Sequence, residues 1–474
     1  MTILCNIPVS RTPAGALRAQ RGSTHPTFAL GIDTGGTYTD AVLVDHTNDH
    51  VLAKAKALTS YHDLSIGIGQ AVTEVLEHTA TSVSPADIEL VSLSTTLATN
   101  AIVEGRGCPV CLLLIGYDPT LIQQFGFERD LVTRDVVYLR GGHNGAGNEV
   151  EPLDESAVRD AILARRDHVE AFAVSGYFGV RNPAHELRVR AMIEELTAHD
   201  GQTMPVTCGH ELTTHLNAVR RATTAALNAR LIPLLRELIA TVRTTLNEQG
   251  ISAPLMIVKG DGSLVKAEWA MRRPVETILS GPAASVVGAW HLAGRRDVWT
   301  VDVGGTTTDI AALNDGRLRL NPKGAQVGEW RTMVQAVDVH TIGLGGDSDV
   351  HIDGQGRILI GPRRVMPLCL LASLYPETVA ELDRHVAQLS RKPDHLAGQF
   401  VLGLRQPTAA VSEDDAELLR QLSRAPLPLS SLADRARFGS WVVQQVERLE
   451  SLRLVLRAGF TPTDALHVMG QFER

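Results

Sequence analysis

The chain has 474 residues, enough for about two or three domains. A formal net charge of −8 and an aromatic fraction of 4% argue against a nucleic-acid surface, which needs clustered cations and stacking rings. The hydrophobic fraction of 44% is that of an ordinary globular protein, and no apolar run approaches the ~20 residues of a membrane span.

Residues 1–25 carry Arg11, Arg18 and Arg21 without an apolar core, and read as a flexible tail rather than a secretory signal. Strands are expected over FALGID (28–33), AVLVD (41–45) and VLAKAKAL (51–58), then a helix over 64–79 with apolar residues at helical spacing. IELVSLS (88–94) reads as a strand leading into a helix that starts near Thr95 or Thr96. VCLLLIGY (110–117) is short and wholly apolar, the mark of a buried parallel strand. Cys108 and Cys111 lie at its start, and with no second ligand pair to complete a zinc site they read as small core hydrophobes. The sparse, odd cysteine set (also Cys5, Cys208 and Cys369) fits a reducing, cytoplasmic compartment.

Helices follow over 154–166 and 182–199, the second capped by Asn182 before Pro183, with the strand AFAVSGY between them. A mostly helical stretch over 211–249 is expected to break at Pro233. PLMIVKGDG is strand then turn, SGPAASVVGAWHLAG a helix opened by a glycine turn, and DIAALNDGRLRL a hairpin about Asp315–Gly316. Residues 376–474 read as mostly helical, broken near RAPLPLSSL, and TPTDALHV as a capped helix.

An internal repeat organises these elements. IDTGGTYTD (32–40) and VDVGGTTTD (301–309) agree at six of nine positions, each after an apolar strand and before a hairpin. Glycines let backbone N–H groups approach a phosphate, and threonine hydroxyls add uncharged donors. An aspartate at the strand end repels a phosphate unless a magnesium ion lies between them. Two such loops facing each other would hold a polyphosphate from both sides. Gly35, Gly36, Thr37, Thr39, Gly304, Gly305, Thr306 and Thr308 are therefore candidate phosphate-binding residues, and Asp33 and Asp302 candidate metal ligands. GLGGDSD (343–349) adds Gly345 and Gly346 on the adenosine side. There is no GxxxxGK[ST] and no GxGxxG after the first strand, so a Walker loop and a dinucleotide fingerprint are both excluded.

The order of these motifs resembles the actin-like ATPase fold, an α/β architecture of two duplicated domains flanking a nucleotide cleft. More narrowly, GIDTGGTYTD, STTLATNAIVEGRG, VRNPAHELRVR, TILSGPAASVVGA, DVGGTTTD and DVHTIGLGG resemble the hydantoinase/oxoprolinase A family over roughly residues 28–362. The resemblance implies an N-terminal domain over 26–205 and a hydantoinase A-like domain over 206–474 ending in a helical region. It implies ATP and Mg²⁺ as cofactors and a phosphoryl transfer that activates an inert amide or ketone. Asp309, Thr95, Thr96 and Asn100 would lie near the reacting end, with His340 a candidate for proton transfer. Leu93-Ser94-Thr95-Thr96 stands where the family usually has HGTT, and Asp347 where it has a third glycine. The expected function is an ATP-dependent hydrolase of a small cyclic amide or carbonyl compound. A small-molecule kinase and a regulatory ATPase module on the same scaffold remain alternatives, and a second subunit or self-association is compatible with all three.

Overall fold

The computed structural model describes residues 27–35, 38–59, 64–79, 83–199, 203–352, 355–389, 396–405, 407, 411–435 and 439–471. Gly36, Thr37 and the tail at 1–25 lie outside them. The chain divides into two compact units, and it passes between them after Thr300, Ile310 and Val339.

The larger unit begins with a six-stranded sheet. Strand Phe28–Thr34 pairs antiparallel with Tyr38–Asp45, which pairs antiparallel with His50–Leu58. On its other side Phe28–Thr34 runs parallel to Ile88–Thr95, and that strand runs parallel to Leu255–Val258. Burial alternates residue by residue along the first two strands, so one face carries Leu30, Ile32 and Leu43 into the core. Helix Leu64–Thr79 covers that face with Ile68, Ala71, Val72 and Val75.

A second sheet of the same unit is wholly parallel, in the order Val206–Cys208, Ala171–Gly176, Val110–Ile115, Val136–Leu139. All six residues of Val110–Ile115 are buried, because both faces are covered. Leu112 and Leu114 meet the alanines of the long helix Ala218–Glu248, while Cys111, Leu113 and Ile115 meet Val158, Ile162, Val189 and Ile193 of helices Glu155–Leu163 and Ala184–Thr197. Asn182 accepts the Ala184 amide through its side chain at 3.0 Å, but the helix begins after Pro183.

Pro233 does not break the helix, contrary to the sequence expectation: Ala218–Glu248 is continuous through it. A proline removes one intrahelical hydrogen bond, and here the neighbours Leu231, Ile232, Leu235, Leu238 and Ile239 are all buried and hold the helix to its unit.

In the smaller unit helices dominate residues 368–468 as expected, but they pack on a sheet that the helical pattern concealed. Met366–Pro367 and Phe400–Gly403 flank Val455–Gly459, and Leu427–Pro428 pairs with Phe400–Gly403. The break at RAPLPLSSL is where that edge strand forms. Helix Pro462–Val468 has the expected cap, with Thr461 and Asp464 forming a capping box. No described helix is long and apolar enough to cross a membrane.

Candidate functional site

The first glycine turn hangs from the register of three strands. Hairpin pairing sets Asp33 opposite Asp40, and parallel pairing sets Ser94 beside Asp33. Ser94 Oγ donates to Asp33 Oδ1 at 2.6 Å, and the Gly35 amide closes the turn on the Tyr38 carbonyl at 2.9 Å. Thr39 is buried, its hydroxyl 3.1 Å from that of Thr59, which itself donates to the Gly35 carbonyl at 3.0 Å. Thr39 therefore braces the turn from behind.

Thr95, Thr96 and Asn100 come together with this turn. The Thr96 amide donates to the Thr34 carbonyl at 3.1 Å, and Asn100 Nδ2 donates to Thr96 Oγ1 at 3.1 Å. Helix Leu97–Val103 starts after Thr96, but Thr95 Oγ1 is the side chain that accepts the Leu97 amide, at 3.1 Å. Thr95 is buried and fastened to a second helix: its amide donates to Ser280 Oγ at 3.2 Å and its carbonyl accepts from the same hydroxyl at 2.9 Å. Ser280 opens helix Ser280–Ala293, preceded by Leu279 in the left-handed region at φ 62°. A side chain at Gly281 would lie 3.8 Å from Thr96 Cγ2 and 3.9 Å from Asp33 Oδ1. A helix N-terminus thus opens beside the first aspartate.

The smaller unit repeats the turn. The Gly304 amide closes on the Thr307 carbonyl at 2.9 Å, the same bond at equivalent residues. Gly304, Gly305 and Thr306 are exposed and Asp302 is half-buried. Thr308 is buried and donates to the Leu344 carbonyl at 2.6 Å, which ties the turn to the third glycine loop. Backbone bonds complete that union: Gly346 N–H to the Gly304 carbonyl at 2.9 Å and Asp347 N–H to the Gly305 carbonyl at 2.8 Å. The approach is so close that a methyl on Gly345 would come within 2.5 Å of the Gly305 oxygen. Thr463 clamps the loop from the other side, its amide and hydroxyl both donating to the Gly346 carbonyl, at 2.9 and 2.8 Å. Asp347 is buried against Gly305, with Arg364 3.3 Å away.

Asp309 pairs in register with Thr341, and Ile310 with His340. His340 is exposed. Burial pushes the Asp309 carboxyl above its ordinary range; the Thr341 hydroxyl, donating at 2.6 Å, opposes this and the Asp302 charge adds to it. Ser94, Ser280, Thr341 and Thr463 are residues that sequence reasoning passed over. Ser94 and Ser280 stand inside the quoted motifs, but their role depends on which strands become neighbours.

Cys108 and Cys111 are buried, and burial pushes their thiols up to about 11 and about 12. Among the described residues Glu186, Cys208 and His210 bring a carboxylate, a thiol and an imidazole within 4.8 Å. Glu186 already accepts from Gly176 N–H at 2.7 Å and His210 N–H at 3.0 Å and lies 2.5 Å from His210 Nδ1, so it works as a buried hub.

Residues 29–197 match the model of the hydantoinase/oxoprolinase N-terminal region, and residues 221–369 that of hydantoinase/oxoprolinase. The chain belongs to the hydantoinase/oxoprolinase family. Among curated relatives it is 30% identical over 462 residues to the caprolactamase subunit alpha of Pseudomonas jessenii, covering 92% of this chain and 64% of that one. It is 28% identical over 425 residues to the acetophenone carboxylase gamma subunit of Aromatoleum aromaticum, covering 82% and 57%. The solved ATP-dependent caprolactamase of Pseudomonas jessenii superposes with a TM-score of 0.62 at 28% identity, over 84% of this chain and 59% of that one. The chain thus spans about three fifths of the length of these relatives, and its mixed α/β architecture is that of the solved caprolactamase.

Proposed function

We propose that this hydantoinase/oxoprolinase family chain is the ATP-binding part of an enzyme that activates and opens a small cyclic amide. The observation that carries the reading is the repeated turn: two DxGGTxTD segments, each closed by the same 2.9 Å glycine N–H bond (Gly35 to Tyr38, Gly304 to Thr307) and each preceded by a strand-end aspartate. Hard carboxylate oxygens suit magnesium, and glycine turns let the backbone approach phosphate oxygens closely. Asp33 and Asp302 would hold the metal, and Gly35, Gly36, Thr37, Gly304, Gly305 and Thr306 the phosphates. Gly345 and Gly346 would meet the adenosine.

Bound ATP would supply a phosphoryl group, which turns an unreactive amide carbon into an electrophile. Thr95, Thr96 and Asn100 would position the acceptor oxygen, helix Ser280–Ala293 would add N-terminal N–H groups near the transferred charge, and Asp309 or His340 would move a proton. The amide class is supported by the caprolactamase relative, and both curated relatives are named as subunits, which supports a partner subunit here. The test is a panel of lactams, hydantoins and ketones with ATP and Mg²⁺, following phosphate release and substrate mass together. Ring-opened product with equimolar phosphate is expected. A stable phosphorylated product would make the chain a kinase, and hydrolysis without any substrate a regulatory ATPase.

A further inference from the structure

The two DxGGTxTD copies agree at six of nine positions, yet their aspartates are braced differently. In the second copy the Thr341 hydroxyl holds Asp309, the last aspartate of the motif. In the first copy the last aspartate, Asp40, is ion-paired with Lys56 at 2.7 Å, and the hydroxyl goes to the first aspartate instead. Ser94 Oγ lies 2.6 Å from Asp33 Oδ1. A carboxylate only accepts, so the one hydroxyl proton of Ser94 points at Asp33. The separation is that of a hydrogen bond to an ionised oxygen, roughly twice as strong as one between neutral groups.

Ser94 is itself held fast. It is 4% exposed, and parallel register sets it beside Asp33, with both side chains on one face of the sheet. The Ser94 carbonyl accepts the Thr34 hydroxyl at 3.3 Å. The next residue, Thr95, is bonded through both its amide and its carbonyl to Ser280. The Ser94 hydroxyl is thus offered from a fixed backbone. Gly281 stands on the same side of the carboxylate, since a methyl there would lie 3.9 Å from Oδ1. All of these residues belong to the larger unit. A carboxylate otherwise turns over a broad range about its Cβ–Cγ bond. A bound cation stops that rotation, and the entropy is lost at binding unless the protein has already stopped it. The hydrogen bond also draws charge from the carboxylate, which weakens a metal contact. Orientation outweighs this, because removing an outer partner of a metal ligand typically lowers metal affinity by ~10–100-fold.

We infer that Ser94 is a positioning residue for magnesium: its hydroxyl fixes the Asp33 carboxylate in the orientation that receives the cation. The inference rests on the magnesium–ATP reading above for the identity of the cation. Calorimetric titrations of the full chain with the non-hydrolysable ATP analogue AMP-PNP, once with Mg²⁺ and once in EDTA, decide it. Mg²⁺ should tighten binding to the wild-type chain. Ser94→Ala should weaken binding with Mg²⁺ about tenfold and leave binding in EDTA within about twofold, with the melting temperature little changed. Ser94→Cys fills the same space with a weak donor, so it should lose nearly as much as Ser94→Ala. A purely structural serine would be rescued by that substitution. Equal losses with and without Mg²⁺, or wild-type affinity in Ser94→Cys, would make Ser94 a packing residue and overturn the inference. Mg²⁺-dependent binding that neither variant alters would overturn the inference alone and leave the proposed function standing. Wild-type binding that ignores Mg²⁺, or no binding at all, would overturn the metal-site reading and the inference with it.

Discussion

Thr341 Oγ1 donates to Asp309 Oδ1 at 2.6 Å, and it does so against burial and the Asp302 charge, which both raise the Asp309 carboxyl. A carboxyl raised in the folded state penalises folding increasingly as the pH climbs from its unfolded value to its folded one, and fully above that. Below the ordinary aspartate value near 3.8 both states are protonated and the penalty vanishes. Asp309→Asn should therefore stabilise the metal-free protein at neutral pH by less than about 1 kcal/mol, since solvent reaches the pair. The gain should fade as the pH drops through the window between the raised value and 3.8. Chemical denaturation in chelator across pH 3–8 checks the sign.

Asp302 is half-buried at a strand end, where removing the carboxylate leaves no hole. Asp302→Ala should lower Mg·ATP affinity by ~100-fold or more, about 2.8 kcal/mol, with little change in melting temperature. Unchanged nucleotide affinity by calorimetry would remove Asp302 from the metal site.

Two glycines make opposite predictions. A methyl on Gly345 meets the Gly305 carbonyl at 2.5 Å, whereas one on Gly288, inside helix Ser280–Ala293, meets nothing within 4 Å. Gly345→Ala should cost about 1–3 kcal/mol through overpacking and loosen the second turn. Gly288→Ala should add up to ~1 kcal/mol through helix propensity. Urea midpoints distinguish them.

Pro233→Ala restores an N–H inside a continuous helix. The gain should be about 2 kcal/mol, the ~3 kcal/mol cost of an internal proline reduced by up to ~1 kcal/mol for the stiffness it gives the unfolded chain. A lower urea midpoint in the variant would show that the ring itself packs productively.

Burial of Cys108 and Cys111 lifts their thiols to about 11 and about 12, leaving negligible thiolate at pH 8. Among the described cysteines Cys369, half-buried, should be alkylated first by iodoacetamide, with the buried Cys108, Cys111 and Cys208 reacting only on unfolding. Timed peptide mass spectrometry reads the order.

The sequence disclosed those parts of the fold whose signal is local. Apolar runs marked the strands on either side of the first glycine turn, an all-apolar run named Val110–Ile115 as parallel, and Asp315–Gly316, with φ of 51° and 70°, turns its hairpin as expected. Strands of two to five residues such as Phe400–Gly403 carry too few positions for a period to emerge among helices. Pro233 was misread because propensity is a local cost and burial a tertiary gain. In the candidate site the repeat exposed Asp33 and Asp302, but Ser280 reaches Thr95 across 185 positions.

The glycine bond that closes the second DxGGTxTD turn, from Gly304 to Thr307, has a kinetic consequence. A loop already fixed by its own backbone does not have to be ordered when a nucleotide arrives, so the encounter escapes the entropic toll that floppy phosphate loops exact. Capture should then run at the diffusive rate that charge permits, and differences in affinity among nucleotides should surface almost entirely in how long each one stays.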